Sequence, residues 1–285
     1  MIRFRLTGGL GNQLFQYAAS KALALRLNTD LIYSRDSFDS TRARSDRPLL
    51  LEHFVSRSPA YIRSGSISAL VIKAFNKIFS KPGKVTHWSG VAYWTDLPNY
   101  CAEFERIKDG TFVHGFFQSE RYFSSIRDSL IEELRNGMKA ELVAAHARLQ
   151  ALGTCPTVAI HIRRGDYSDI SVEGGLVVDL SRVRAAAQRF SADHQFMVFS
   201  DDPEYASNID IGVPFQTFQS SVIEEFATMC ACDHFIIANS TFSWWASYLG
   251  SNPGKRVLAP RNWERPNLAA DLPRSDIYLD SHELY

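Results

Sequence analysis

Two adjacent arginines sit in His161-Ile162-Arg163-Arg164-Gly165-Asp166-Tyr167, directly behind the apolar run Thr157–Ile162. Guanidinium groups are planar and permanently charged, and they bind phosphate oxygens in a fork, so Arg163 and Arg164 point to a diphosphate. The alternative is that they pair with nearby acids such as Asp166 and Asp169. A second candidate, Ser200-Asp201-Asp202, follows the run Gln195–Phe199. Its carboxylates suit a ribose or the N–H edge of guanine, or they cap a helix that opens at Pro203. No Asp-x-Asp triplet accompanies them, which makes a metal role less attractive. The third candidate is Asn239-Ser240-Thr241-Phe242-Ser243-Trp244-Trp245, after the run His234–Ala238. Hydroxyls beside the free amides of a helix start form an anion site; the alternative is ordinary capping by Ser240 or Thr241 above two core tryptophans.

Near the N-terminus, Gly8-Gly9-Leu10-Gly11-Asn12-Gln13 resembles a dinucleotide fingerprint, but Leu14 stands where its third glycine belongs. An NAD-dependent enzyme is the strongest alternative from another reaction class. It requires an acid closing the second strand, and Asp36 lies instead within a polar loop. The chain has no Walker A lysine, Gly-x-Ser-x-Gly elbow or His-Glu-x-x-His helix.

The elements that position these residues follow from periodicity. Ile2–Leu6 reads as a strand, Asn12–Leu27 as a helix capped by Asn12, and Asp30–Tyr33 as a second strand, the start of a βαβ unit. Ser34–Arg47 reads as an exposed loop and Thr111–Phe117 as a strand. Arg121–Leu152 is a long helical pattern that weakens at Asn136-Gly137. Beyond Cys155, near-continuous apolar strands at 157–162, 195–199, 234–238 and 256–259 alternate with helical stretches at 180–190, 222–230 and 242–249. This is the pattern of a parallel sheet buried on both faces, whose ligands bind beyond the strands' carboxyl ends. Two domains are expected, at 1–152 and 153–285. The stripe Ile67–Ile78 reads as a core-facing helix, with a membrane-surface helix as the alternative.

Composition narrows the function. Thirty-one basic residues balance thirty-one acidic ones, so no global field draws nucleic acid or an anionic membrane. The four cysteines form no Cys-x-x-Cys pair and suggest neither a disulfide framework nor a metal site. The first residues lack a signal-peptide core and no apolar stretch is long enough to span a bilayer, so a cytoplasmic location is expected.

The motifs Gly8–Ala18, His161–Tyr167 and Asn239–Trp245, with Phe199–Asp202 as a fourth, resemble the signatures of the α-1,2-fucosyltransferases, in family order along most of the chain. The His-x-Arg-Arg-x-Asp element is shared with α-1,6- and protein O-fucosyltransferases, whereas Leu-Phe-Gln-Tyr-Ala and Phe-Ser-Trp-Trp select the α-1,2 branch. The resemblance implies a GT-B-like α/β fold of two facing Rossmann-type domains with a central cleft, the second holding the nucleotide. It implies inverting, metal-free transfer from GDP-β-L-fucose to the 2-hydroxyl of a galactose-terminated oligosaccharide, with no cofactor; the membrane-surface alternative for the 67–78 stripe adds a lipid-linked acceptor and peripheral membrane contact. By it, Arg164 grips the β-phosphate, and Asn12 approaches the donor from the other domain. Asp166 is a candidate base, while His161, Arg163, Asp201, Asp202, Asn239, Ser240, Thr241, Phe242 and Ser243 form the donor site. Transfer in another linkage and a non-catalytic sugar-binding module are the remaining alternatives.

Overall fold

The computed structural model describes residues 1–35, 38, 47–55, 60–62, 83–88, 91–95, 97, 99–168, 175–267, 269 and 273–285. The chain forms two compact units, Met1–Gly137 and Met138–Tyr285. The 67–78 stripe lies outside the described residues.

In the first unit, β1 (Ile2–Arg5) leads through a glycine turn into α1 (Leu10–Arg26), then β2 (Leu31–Ser34) and the short α2 (Leu51–Phe54). Strands β3 (Ala60–Ile62), β4 (Thr86–Trp88), β5 (Val91–Thr95) and β6 (Thr111–His114) precede α3 (Arg127–Gly137). The sheet order is β3-β2-β1-β6-β5-β4, parallel except for the β4–β5 pair. Helix α1 begins at Leu10, with Gly9 and not Asn12 at its N-cap. Gly8 has φ +78°, and a Cβ there would stand 2.7 Å from Asn12 Nδ2, so glycine lets the Asn12 side chain lie back over the turn. Gln13, fully buried, ties the turn to the segment before α2. Its Nε2 donates to the carbonyls of Gly8 and Pro48 (both 2.9 Å), and its Oε1 accepts from the amides of Leu50 (2.9 Å) and Leu51 (3.0 Å). One amide thereby satisfies four backbone groups that have no ladder partner.

The second unit opens with α4 (Lys139–Leu152), followed by β7 (Thr157–Ile162), α5 (Gly165–Ser168), α6 (Leu180–Ala187), β8 (Gln195–Ser200), α7 (Pro203–Ser207) and β9 (Phe215–Thr217). Then come α8 (Val222–Ala231), β10 (His234–Ile236), α9 (Thr241–Leu249), β11 (Val257–Ala259) and β12 (His282–Leu284). The units divide at Gly137, where the sequence pattern placed the division at 152. The reason is local: α4 packs against α8, with Arg148 donating to Thr228 Oγ1 at 2.8 Å, so it belongs to the second core.

All six strands of this unit run parallel in the order β12-β11-β10-β7-β8-β9. Counted from its own first strand the order is 6-5-4-1-2-3, that of dinucleotide-binding sheets, with the switch between β7 and β10. Every residue of β7 is buried, which is why it reads as a continuous apolar run. No helix among the described residues is long and apolar enough to cross a membrane.

Candidate functional site

The crevice at the β7–β10 switch is where a ligand of such a sheet binds, and two of the three candidate motifs leave the sheet there. The third arrives by register. Strands β7 and β8 pair His161 with Phe199 and Ile162 with Ser200. Carried one and two residues past the ladder, that register sets Arg163 beside Asp201 and Arg164 beside Asp202. Arg163 Nη1 meets Asp201 Oδ2 at 2.7 Å, and Arg164 Nε meets Asp202 Oδ2 at 3.2 Å. The Arg164 amide donates to Asp201 Oδ1 at 2.8 Å. The arginines therefore pair with the aspartates that follow the neighbouring strand. Asp169 lies outside the described residues; Asp166 lies in α5.

Asp202 has a second duty. Its Oδ1 accepts from the Tyr205 amide at 3.0 Å and caps α7, with Pro203 at the first helical position, as the sequence allowed. The Tyr205 ring in turn lies under the Arg164 guanidinium, 3.7 Å from ring centroid to Cζ. A half-buried arginine is thus held by a carboxylate and an aromatic face together. Arg163 lies 5.3 Å from the Tyr167 centroid, and the Tyr167 hydroxyl donates to the Asn239 carbonyl at 3.2 Å, which links the arginine loop to the third motif. Gly165 must lack a side chain, because a Cβ there would overlap Asp201 Oδ2.

Helix α9 is anchored by bulk. Seven consecutive residues, Ser243–Leu249, are buried, with Trp244 stacked on Tyr248 at 4.8 Å and its Nε1 donating to the Ile277 carbonyl at 2.7 Å. Burying such rings contributes on the order of 2 kcal/mol each, so the helix start is held firmly beyond the carboxyl end of the central strand β10. Both tryptophans are core. Ser240 stands at the N-cap, yet its side chain makes no capping bond, and Thr241 opens the helix beside Phe242, whose ring packs on Phe226 at 5.1 Å.

Three buried polar atoms in this crevice lack a hydrogen-bond partner among the described residues: His161 Nδ1, at the end of β7, Asn239 Oδ1, just past β10, and Arg164 Nε, whose approach to Asp202 is an ion pair without hydrogen-bond geometry. Such atoms cost stability unless a ligand or water completes them. The His161 ring packs 5.7 Å from Phe242, and its pKa falls to about 4; burial is the main cause, Asp201 opposes it and Arg163 adds to it. The imidazole is therefore neutral at pH 7. Burial likewise pushes His282 of this unit, and His114 of the first, down to about 4.

A stability prediction follows with its sign. Between pH 6.5 and about 4 the unfolded chain binds protons on these histidines that the folded chain does not, so stability is complete above pH 6.5 and falls as the pH drops. The slope is up to about 1.4 kcal/mol per pH unit for each histidine. Urea midpoints at pH 7, 6 and 5 should decline steadily, and the decline should be shallower in His282→Asn; a flat profile would contradict the burial assignment.

Tyr205 and Glu225 escaped the sequence reading, and Tyr167 entered it only as the end of the arginine motif, with no role. Burial raises the Glu225 carboxyl and the Asp201 charge adds to the rise, while its Oε1 accepts from the Ser220 amide at 3.0 Å. No local pattern marks Tyr205 or Glu225. Asn12 belongs to the first unit, where its Oδ1 accepts from Gln118 Nε2 at 3.1 Å.

Comparison with known proteins places the chain. It is 28% identical over 287 residues to the O-antigen biosynthesis glycosyltransferase WbnK of Escherichia coli, covering 90% of this chain and 93% of that protein. It is also 28% identical over 287 residues to the mouse galactoside 2-α-L-fucosyltransferase Sec1, covering 94% of this chain and 68% of that protein. Its fold resembles that of an Arabidopsis thaliana FUT1 variant in complex with GDP, with a TM-score of 0.53 at 15% identity over 93% of this chain and 71% of that one. The family model of glycosyl transferase family 11 matches residues 67–281. The chain is a glycosyltransferase, and it belongs to glycosyl transferase family 11.

Proposed function

We propose that this enzyme transfers L-fucose from GDP-β-L-fucose to the 2-hydroxyl of a galactoside, inverting the donor to an α-1,2-linked product without a metal ion. The observation that carries the reading is the arginine pair at the sheet's switch point, backed by Asp201, Asp202 and Tyr205 and set beside the start of α9.

Breaking the bond from sugar to phosphate builds negative charge on the leaving β-phosphate and positive charge on the ring. Donors fixed before the reaction stabilise that charge more in the transition state than in the ground state. Arg164 supplies a planar fork whose carboxylate and aromatic contacts fix its direction, and the first amides of α9 point their positive dipole end the same way in kind. His161 and Asn239 complete the donor pocket, each with a buried atom that gains a partner when a ligand binds. The names of the relatives support the donor and acceptor classes: Sec1 acts on galactosides, WbnK in O-antigen synthesis, and the Arabidopsis enzyme binds GDP.

Because protein groups carry the charge, transfer from GDP-fucose to lactose should run at full rate in excess EDTA, with an α-1,2 fucoside as the product resolved by NMR. Activity lost in EDTA and restored by Mg²⁺ or Mn²⁺ would overturn the metal-free mechanism. A β-fucoside would overturn inversion, and turnover of another sugar nucleotide in place of GDP-fucose would overturn the donor.

A further inference from the structure

The first unit carries a second switch point, between β1 and β6, and an aromatic side chain is displayed there. Strand β6 ends at His114, and the backbone then departs from extended geometry: Gly115 has φ 154° and Phe117 has φ 52°. A positive φ at a bulky aromatic residue is strained and persists only where its surroundings fix it. They do so here. Phe117 is 1% exposed, stacked on Trp94 at 5.7 Å and edge-on to Tyr122 at 5.5 Å, and its carbonyl accepts from the Ser119 amide at 2.8 Å.

This anchoring turns the preceding residue outward. Phe116 is 47% exposed, a ring held in water by its buried neighbour. In the same loop, Gln118 Nε2 donates to Asn12 Oδ1 at 3.1 Å across the switch point, and both amides are only half-buried. An exposed aromatic face on the same loop as a side-chain amide is the chemistry that recognises a pyranose: the ring covers the sugar's C–H face while amides bond its hydroxyls.

We infer that Phe116 is the stacking platform for the acceptor sugar, with Gln118, held by its bond to Asn12, bonding a sugar hydroxyl. The inference rests on the galactoside reading above for the identity of the sugar. β-Galactosides fit because H3, H4 and H5 of galactose lie on one face and form the flat apolar patch that such a ring covers.

The probe is lactose, and the test has two arms. Saturation-transfer NMR of lactose with donor-free protein should show strong transfer to galactose H3, H4 and H5 in wild type, weak transfer in Phe116→Ala and retained transfer in Phe116→Trp. In steady-state assays with GDP-fucose, Phe116→Ala should raise the lactose KM at least about tenfold, consistent with the energy of one aromatic contact, while kcat and the melting temperature stay close to wild type. Lactose binding that is absent in wild type, or equal in wild type and Phe116→Ala, overturns the platform. If wild type fails to transfer fucose yet binds lactose through Phe116, the fucosyl reading falls and the platform stands.

Discussion

Arg164→Lys is expected to lose at least about a hundredfold in turnover while keeping its fold. Lysine preserves the charge and can still reach Asp202, but it cannot present two parallel N–H donors to a phosphate. It also loses the planar stacking on Tyr205 that fixes the arginine 3.7 Å above the ring. Removing one preorganised donor to a transition state typically costs about 10²–10³ in rate. Arg163→Lys should be milder. That side chain is only 15% exposed and is held by Asp201 at 2.7 Å, an ion pair a lysine can keep. Turnover, GDP affinity and circular dichroism of both variants decide the matter, and near-wild-type turnover in Arg164→Lys would remove the phosphate clamp from the mechanism.

Gly137→Ala is expected to cost about 3 kcal/mol of stability, the upper end for overpacking, or on the order of 10 °C in Tm for a unit of this size. A Cβ at Gly137 would overlap the Phe54 carbonyl, standing 2.5 Å from its carbon and 2.7 Å from the Phe54 Cα. These are backbone atoms and cannot swing aside. The chain before α2 is also pinned to the glycine turn through Gln13, so the strain has little room to relax. Gly254→Ala, whose Cβ would meet nothing closer than Asn252 Oδ1 at 3.5 Å, serves as the control and should stay within about 0.5 kcal/mol. Equal melting curves for Gly137→Ala and wild type would contradict the close approach of α3 to α2.

Much of the second unit is legible in the sequence because its central strands are buried on both faces: β7 and β8 announce themselves as apolar runs. The edges do not. Phe215–Thr217 and His282–Leu284 are three-residue strands with polar, partly exposed positions, too short for any periodicity to register. In the first unit, Asn12 has the chemistry of an N-cap but sits inside α1, because Gly9 already supplies the extended cap geometry and the Asn12 amide turns to Gln118 instead. The cap that Asp202 places on α7 was legible, whereas the ion pairs of Asp201 and Asp202 with the arginines were not. Local spacing offers Asp166, but no spacing rule reveals a pairing set by strand register over 38 residues.

That register also decides how an anionic nucleotide is captured. Two guanidinium groups face two carboxylates across the ends of β7 and β8, so the four side chains sum to zero formal charge. On the reading proposed above, the charge these arginines offer a distant diphosphate is already balanced by the two carboxylates, and the field of such a quadrupole fades within a few ångströms. On that reading this quartet contributes little to steering and acts in the docked complex, where the direction of each N–H counts more than the sign of its charge.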